Sequence, residues 1–140
     1  MADTTNTKTV QQVYENFGAM SSASSRAQVM NSLLELYSED IVWEIPEMED
    51  VSFGGKRRGR ESVREFFSSV ADELDVLSFE PQEFITDGDT VVALGHYSWR
   101  VKATGSKFSS DFAHVCTLRN GQIVRFREYM DTAAEVRAHQ

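Results

Sequence analysis

Few side chains in this 140-residue sequence can exchange a proton near neutral pH: His96, His114, His139, the thiol of Cys116, and whichever of the 22 acidic residues are removed from water. An imidazole and a carboxyl in an apolar setting suit proton transfer, since each can hold or release a proton there. Two candidates stand out by their neighbours. His114 lies in the run Phe112-Ala-His-Val-Cys116, and Glu128 in Val124-Arg-Phe-Arg-Glu-Tyr-Met130, so each shares an alternating face with apolar residues. Tyr14, Trp43, Tyr97 and Trp99 carry polar tips that can line a pocket or end as ordinary core aromatics; Phe17, Met20, Phe112 and Met130 complete the expected substrate-binding set. Other chemistry is poorly supplied. The three histidines lack paired ligand spacing, so no metal is expected. Cys116 sits among apolar neighbours and reads as packing rather than as a nucleophile. Gly54-Gly55 has no preceding strand to make a phosphate cradle, and no cofactor is expected.

The elements that must position these residues follow from periodicity. After a polar start expected to fray as far as about Thr7, Val10, Val13, Tyr14, Phe17 and Met20 form one helical stripe. The Ser/Ala run from Ser21 to Ser25 breaks it and offers caps for a second helix bearing Met30, Leu33, Leu34 and Tyr37. Ile41 to Ile45 alternates as a strand that Pro46 ends. An acidic loop then leads to a basic patch, Lys56, Arg57, Arg58 and Arg60, which reads as a solvated loop able to steer an anion. A third helix from about Arg60 carries Val63, Phe66, Phe67, Val70 and Leu74 on one face. From Val76 the period is two, giving strands Leu77–Thr86, Thr90–Ala103, Lys107–Arg119 and Gln122–Met130, joined by short turns. Thr132 to Glu135 matches a capping box opening a short final helix. Helices followed by antiparallel strands make an α+β domain, order α-α-β-α-β-β-β-β plus the short helix, with helices on one face of a curved sheet.

Alternation assigns Val91, Ala93, Gly95, Tyr97, Trp99 and Val101 to the covered face, with Phe108, Phe112, His114 and Cys116 beside them. In the last hairpin a three-residue loop, Arg119-Asn120-Gly121, pairs Cys116 with Val124 and His114 with Phe126, joining apolar to apolar. His114 and Glu128 are then diagonal neighbours with backbones roughly 7 Å apart.

Composition bounds the rest. A net charge of −8 leaves no basic face for nucleic acid or an anionic membrane. One cysteine closes no intrachain disulfide, and neither a long apolar stretch nor a signal-like start is present, so a cytoplasmic protein of one domain over 1–140 is expected.

The element order, the helix start Gly59-Arg60-Glu61-Ser62-Val63, and the run Asn120-Gly121-Gln122-Ile123-Val124-Arg125-Phe126-Arg127-Glu128-Tyr129-Met130-Asp131 resemble the nuclear-transport-factor-2-like superfamily, most closely its SnoaL-like polyketide cyclases and ketosteroid-isomerase-related proteins. The resemblance implies a cone-shaped domain with a deep pocket and a homodimer through the outer sheet face. Cyclases of this kind use a His in the penultimate strand and an acid in the last; His114 and Glu128 match, with Glu in place of Asp. The isomerase base at the end of the first strand is missing, since Glu44-Ile45-Pro46 stands there, and Phe17 takes the place of the first-helix Tyr, with Tyr14 one turn earlier. Gly95 and Tyr97 fall where related epoxide hydrolases carry Arg and Asp. The resulting expectation is acid–base chemistry on a hydrophobic carbonyl-bearing ligand, of cyclase, isomerase or dehydratase type, with His114 and Glu128 catalytic; the alternative is a non-catalytic binding or dimerisation module. The outer face, bearing Val92, Leu94, Ala113, Val115 and Tyr129 with Arg100, Arg125 and Arg127, has no helix left to cover it, so a second copy is its expected partner.

Overall fold

The computed structural model describes residues 2–19 and 26–140, so Met20 and the expected helix break at 21–25 lie outside the described residues. Helix α1 (Ala2–Ala19) begins well before the expected start near Lys8. The polar residues read as frayed are anchored instead: buried Asn6 donates through Nδ2 to the Gly88 carbonyl at 3.1 Å, and the Thr7 and Thr86 hydroxyls meet at 2.7 Å. Helix α2 (Arg26–Leu34) stops three residues short of Tyr37, which opens strand β1 (Tyr37–Ile45) rather than closing the helix. The β-branched and aromatic residues Ile41, Val42, Trp43 and Ile45 favour this extended chain.

The basic patch is a strand, not a solvated loop. Strand β2 (Gly55–Arg58) pairs antiparallel with β1, an element absent from the expected order. Two charges of the patch are put to structural use. The Arg57 guanidinium lies 5.9 Å over the Phe66 ring and donates to the Ser62 carbonyl. Arg60, beyond the strand, donates through Nε to the Tyr37 carbonyl at 2.7 Å, while Lys56 and Arg58 are exposed. Gly59, at φ 90, turns the chain into helix α3 (Arg60–Glu73), a conformation that costs glycine little. Val63, Phe66, Phe67 and Val70 form its buried face.

Strands β3 (Leu74–Asp87), β4 (Thr90–Val101), β5 (Lys107–Arg119) and β6 (Gln122–Tyr129) follow as an antiparallel meander, and helix α4 (Thr132–His139) ends the chain. The sheet order is β2-β1-β6-β5-β4-β3, with β1 parallel to β6. That single parallel pairing closes the sheet's concave side and sets Trp43 beside Phe126, their rings stacked with centroids 4.0 Å apart. Burial alternates strictly along β4, with Val91, Ala93, Gly95, Tyr97, Trp99 and Val101 inward as the sequence implies. The result is a cone of curved sheet closed by helices on one face.

The last hairpin departs from the expected register. Asn120 and Gly121, both at positive φ, form a two-residue turn with Arg119 paired to Gln122 and Leu118 to Ile123. A register shift then falls between Thr117 and Leu118, where Val124 is the extra residue, so Thr117 pairs with Arg125, Cys116 with Phe126, and His114 with Glu128. The bulge reconciles a turn favoured by Asn-Gly with apolar pairing on the inner face. It makes His114 and Glu128 direct cross-strand partners instead of diagonal ones.

Candidate active site

Helices α1, α3 and α4 cover the concave face of β1 and β3–β6 and leave a cavity of about 90 Å³ over its aromatic floor. Phe17, Phe79 and Trp99 also border a wider groove of about 670 Å³ between α1, α2, α3 and β3. A volume of roughly 30 Å³ per water makes the inner space a few waters large. Ligand sites commonly reach roughly 300–1,000 Å³, so the inner cavity alone is smaller than most and the groove falls within that range.

The inner cavity contains a chain of hydrogen bonds. Tyr14 Oη lies 2.7 Å from His114 Nδ1, and His114 Nε2 lies 2.7 Å from Glu128 Oε2. Tyr97 donates a longer bond, 3.4 Å, to the same carboxyl oxygen. With Glu128 accepting, the consistent tautomer carries the ring proton on Nε2 and leaves Nδ1 to accept from the Tyr14 hydroxyl. Glu128 Oε1 has no hydrogen-bond partner among the described residues. Burial raises the pKa of both tyrosines, and the neighbouring Glu128 charge raises them further, so Tyr14 and Tyr97 remain phenols. His114 is wedged between the Phe112 and Tyr14 rings, with centroids at 4.3 and 5.8 Å, which fixes its plane.

Gly95 makes this wall possible. A β-carbon there would stand 2.5 Å from the Phe112 ring and 2.4 Å from the Glu80 carbonyl, so only glycine lets Phe112 lie across β4 to stack on Phe79, Tyr97 and His114. Tyr14, Phe17, Trp43, Tyr97 and Trp99 all border the cavity. Phe112 and Met130 lie off the cavity, Phe112 behind His114 in the core and Met130 at the core's margin. Trp43 contributes a buried Nε1–H that lacks a partner among the described residues. Cys116 also borders the cavity, its thiol pushed up to about 12 by burial. Among the described residues no three His, Cys, Asp or Glu side chains converge as metal ligands would.

Other lining residues were not anticipated. Ile45, Phe53, Phe66, Phe67, Phe79 and Phe126 read as core or loop in sequence, yet they border the cavity because curvature leaves their edges uncovered. Glu135 was hidden by its own motif. Asp131, not Thr132, caps α4, its side chain accepting from the Ala134 N–H at 3.0 Å, so Glu135 is released from capping and turns inward. The readable signal was the Glu135–His139 spacing, which puts both on one helix face.

Residues 10–126 match the model of the SnoaL-like domain. The chain belongs to the SnoaL-like domain family. No curated protein sequence matches it. Solved structures do: an NTF2-like protein from Burkholderia xenovorans LB400 is 28% identical, with a TM-score of 0.85 over 100% of this chain and 99% of that one. An NTF2-like protein of unknown function from Burkholderia pseudomallei K96243 is 26% identical, with a TM-score of 0.80 over 97% and 98%. TerC, co-crystallised with polyporic acid, is 26% identical, with a TM-score of 0.77 over 96% and 98%. These SnoaL-like and NTF2-like proteins share the cone-shaped α+β fold. No helix among the described residues is long and apolar enough to cross a membrane.

Proposed function

We propose that this SnoaL-like domain is a single-domain enzyme of isomerase, cyclase or dehydratase type, acting on a hydrophobic, carbonyl-bearing small molecule. The observation that carries the reading is the Tyr14–His114–Glu128 chain inside an aromatic cavity. Glu128 Oε1 takes a proton from the carbon next to the substrate carbonyl, and the electron pair passes to the carbonyl oxygen. Tyr97, loosely held at 3.4 Å, turns its O–H to that oxygen as Glu128 loses its charge. The carboxyl then returns the proton to another carbon, or to a departing hydroxyl. His114 keeps Glu128 oriented, and Tyr14 keeps His114 in the required tautomer. The carbonyl end occupies the inner cavity, while Phe17, Phe79 and Trp99, which border both cavity and groove, bracket the apolar body.

The test is a thermal-shift panel of cyclic ketones, aromatic polyketide-like compounds and polyporic acid, the last taken from the TerC co-crystal, followed by turnover of each hit. Binding by wild type and Glu128→Gln alike, with product from wild type alone, is the expected result. Binding by both with product from neither favours the second reading, a binding module. Ile45 at the place of the isomerase base supports that reading.

We further propose that the protein is cytoplasmic, where its lone buried Cys116 stays reduced, and that it forms a homodimer through the outer sheet face. Val92, Leu94, Ala113 and Val115 are only half-buried there, and Tyr129 is 52% exposed. Within one chain His96 already engages Asp111 at 2.9 Å and Arg125 engages Glu44 at 3.0 Å, so the aliphatic centre rather than ion pairs would drive association. Sedimentation equilibrium at micromolar concentration should give twice the chain mass, and Val115→Glu should halve it without loss of ligand binding. The mass of one chain for wild type overturns the dimer.

A further inference from the structure

Helix α4 brings a second carboxyl to the cavity that the mechanism above does not use. Its ends are pinned: the Asp131 N–H donates to Ser110 Oγ at 2.8 Å, and Thr104 Oγ1 donates to the Ala138 carbonyl at 2.6 Å. Between them Glu135 and His139, one turn apart, are 6% and 5% exposed, with Glu135 Oε2 3.2 Å from His139 Nε2. Glu135 borders the same cavity as His114 and Glu128, while His139 packs behind it against the edge of Phe53. Glu135 Oε1 has no hydrogen-bond partner among the described residues.

The groups facing this pair are mostly acidic. Glu128 from β6 and Glu73 from α3 both raise the Glu135 pKa, after burial itself, to about 8. Tyr97 from β4 feels the charge of both Glu128 and Glu135. Burial lowers the His139 pKa, against the opposing pull of Glu73 and of Asp50 in the loop before β2. Near neutrality, then, Glu135 retains its proton and His139 is an uncharged ring. The Nε2–H tautomer of His139 donates to Oε2 and leaves the carboxyl proton on Oε1.

We propose that Glu135 is a second ligand-binding group of the cavity, its Oε1–H donating to a second acceptor oxygen of the ligand while His139 holds the other carboxyl oxygen. This rests on the reading of the cavity as a ligand site, and it narrows the ligand to hydrophobic molecules with two acceptor oxygens on one ring system, such as diketones and quinones. One oxygen meets Tyr97 near Glu128, and the other meets Glu135. A carboxyl kept protonated serves here as a donor that ionisation would turn into a repulsive acceptor.

The test compares 2,2-dimethylindane-1,3-dione with 2,2-dimethylindan-1-one. They share one bicycle, carry two and one acceptor oxygens, and cannot enolise, so only binding is read. Wild type at pH 6.5 should bind the dione about tenfold tighter, the worth of one well-made hydrogen bond. At pH 9 that advantage should vanish. Glu135→Gln, whose amide remains a donor, should keep it at both pH values. Glu135→Leu should lose it at both while still binding the monoketone. Equal binding of the two probes by wild type, or an advantage that survives in folded Glu135→Leu, overturns the proposal and leaves Glu135–His139 a structural clasp. Failure of wild type to bind either probe overturns it together with the ligand-site reading.

Discussion

At the residue scale, the hydroxyl of Tyr14 separates positioning from packing. Its ring contacts Phe79 and Phe84, with centroids at 5.7 and 5.9 Å, and these contacts survive in Tyr14→Phe. What disappears is the O–H bonded to His114 Nδ1, leaving a buried acceptor unpaired. Urea unfolding should therefore show Tyr14→Phe less stable than wild type by about 1–2 kcal/mol, with an unchanged far-ultraviolet spectrum. Cys116 gives a contrasting expectation. Its thiol is buried and held protonated to about pH 12, so neither access nor thiolate is available. Ellman's reagent at pH 8 should leave Cys116 unmodified in the folded protein and titrate it fully in urea; rapid native labelling would contradict the packing.

At the element scale, the hairpin bulge and the glycine of β4 both serve the same wall. The extra residue at Val124 lets an Asn-Gly turn coexist with inward Cys116, His114, Phe126 and Glu128. Gly95 gives Phe112 the space from which it supports the His114 ring. Gly95→Ala forces its methyl group onto a backbone carbonyl as well as onto the Phe112 ring, so side-chain movement alone cannot relieve it. A loss of about 1–3 kcal/mol is expected in denaturant unfolding, as for other overpacked sites. Both features were only partly legible beforehand. Alternation sorted inner from outer residues along β4 and β5 correctly, because burial on one face imposes a period of two. Alternation alone carries no information about one extra residue, so the register of β6 was displaced.

For the whole molecule, the buried Glu135 couples stability to pH. Its folded pKa, about 8, lies above that of an ordinary glutamate, so between those values the folded state binds a proton that the unfolded state lacks. The sign follows directly: with fewer protons on the unfolded chain, unfolding free energy falls as pH rises. From pH 6.5 to 8 the loss contributed by this group should be on the order of 1–2 kcal/mol. Glu135→Gln should flatten that slope, and parallel denaturation series at the two pH values measure it. Identical slopes in the two proteins would mean that Glu135 is already ionised at pH 6.5.

The sequence by itself determined the order of the major elements, the inward face of the long strands, and the candidacy of His114 and Glu128, because each rests on local periodicity or residue type. Family likeness was legible in the same stretches, notably the β6 run as far as Phe126. Tertiary structure alone decided four things. Strand β2 exists because β1 offers an edge to Gly55–Arg58, a stretch whose basic composition reads as solvated. Helix α1 is ordered from Ala2 because Asn6 and Thr7 find partners on a turn some eighty residues away. Tyr14 joins His114 only because α1 packs over β3 and β4, next to β5, and no spacing within the first helix announces that bond. Glu135 enters the cavity because Asp131 takes the capping position, and the sheet's curvature sets Glu135 in the same apolar space as Glu128. Period and propensity act over a few neighbours, whereas burial, desolvation and pairing across the cone depend on residues that meet only when the chain has closed on itself.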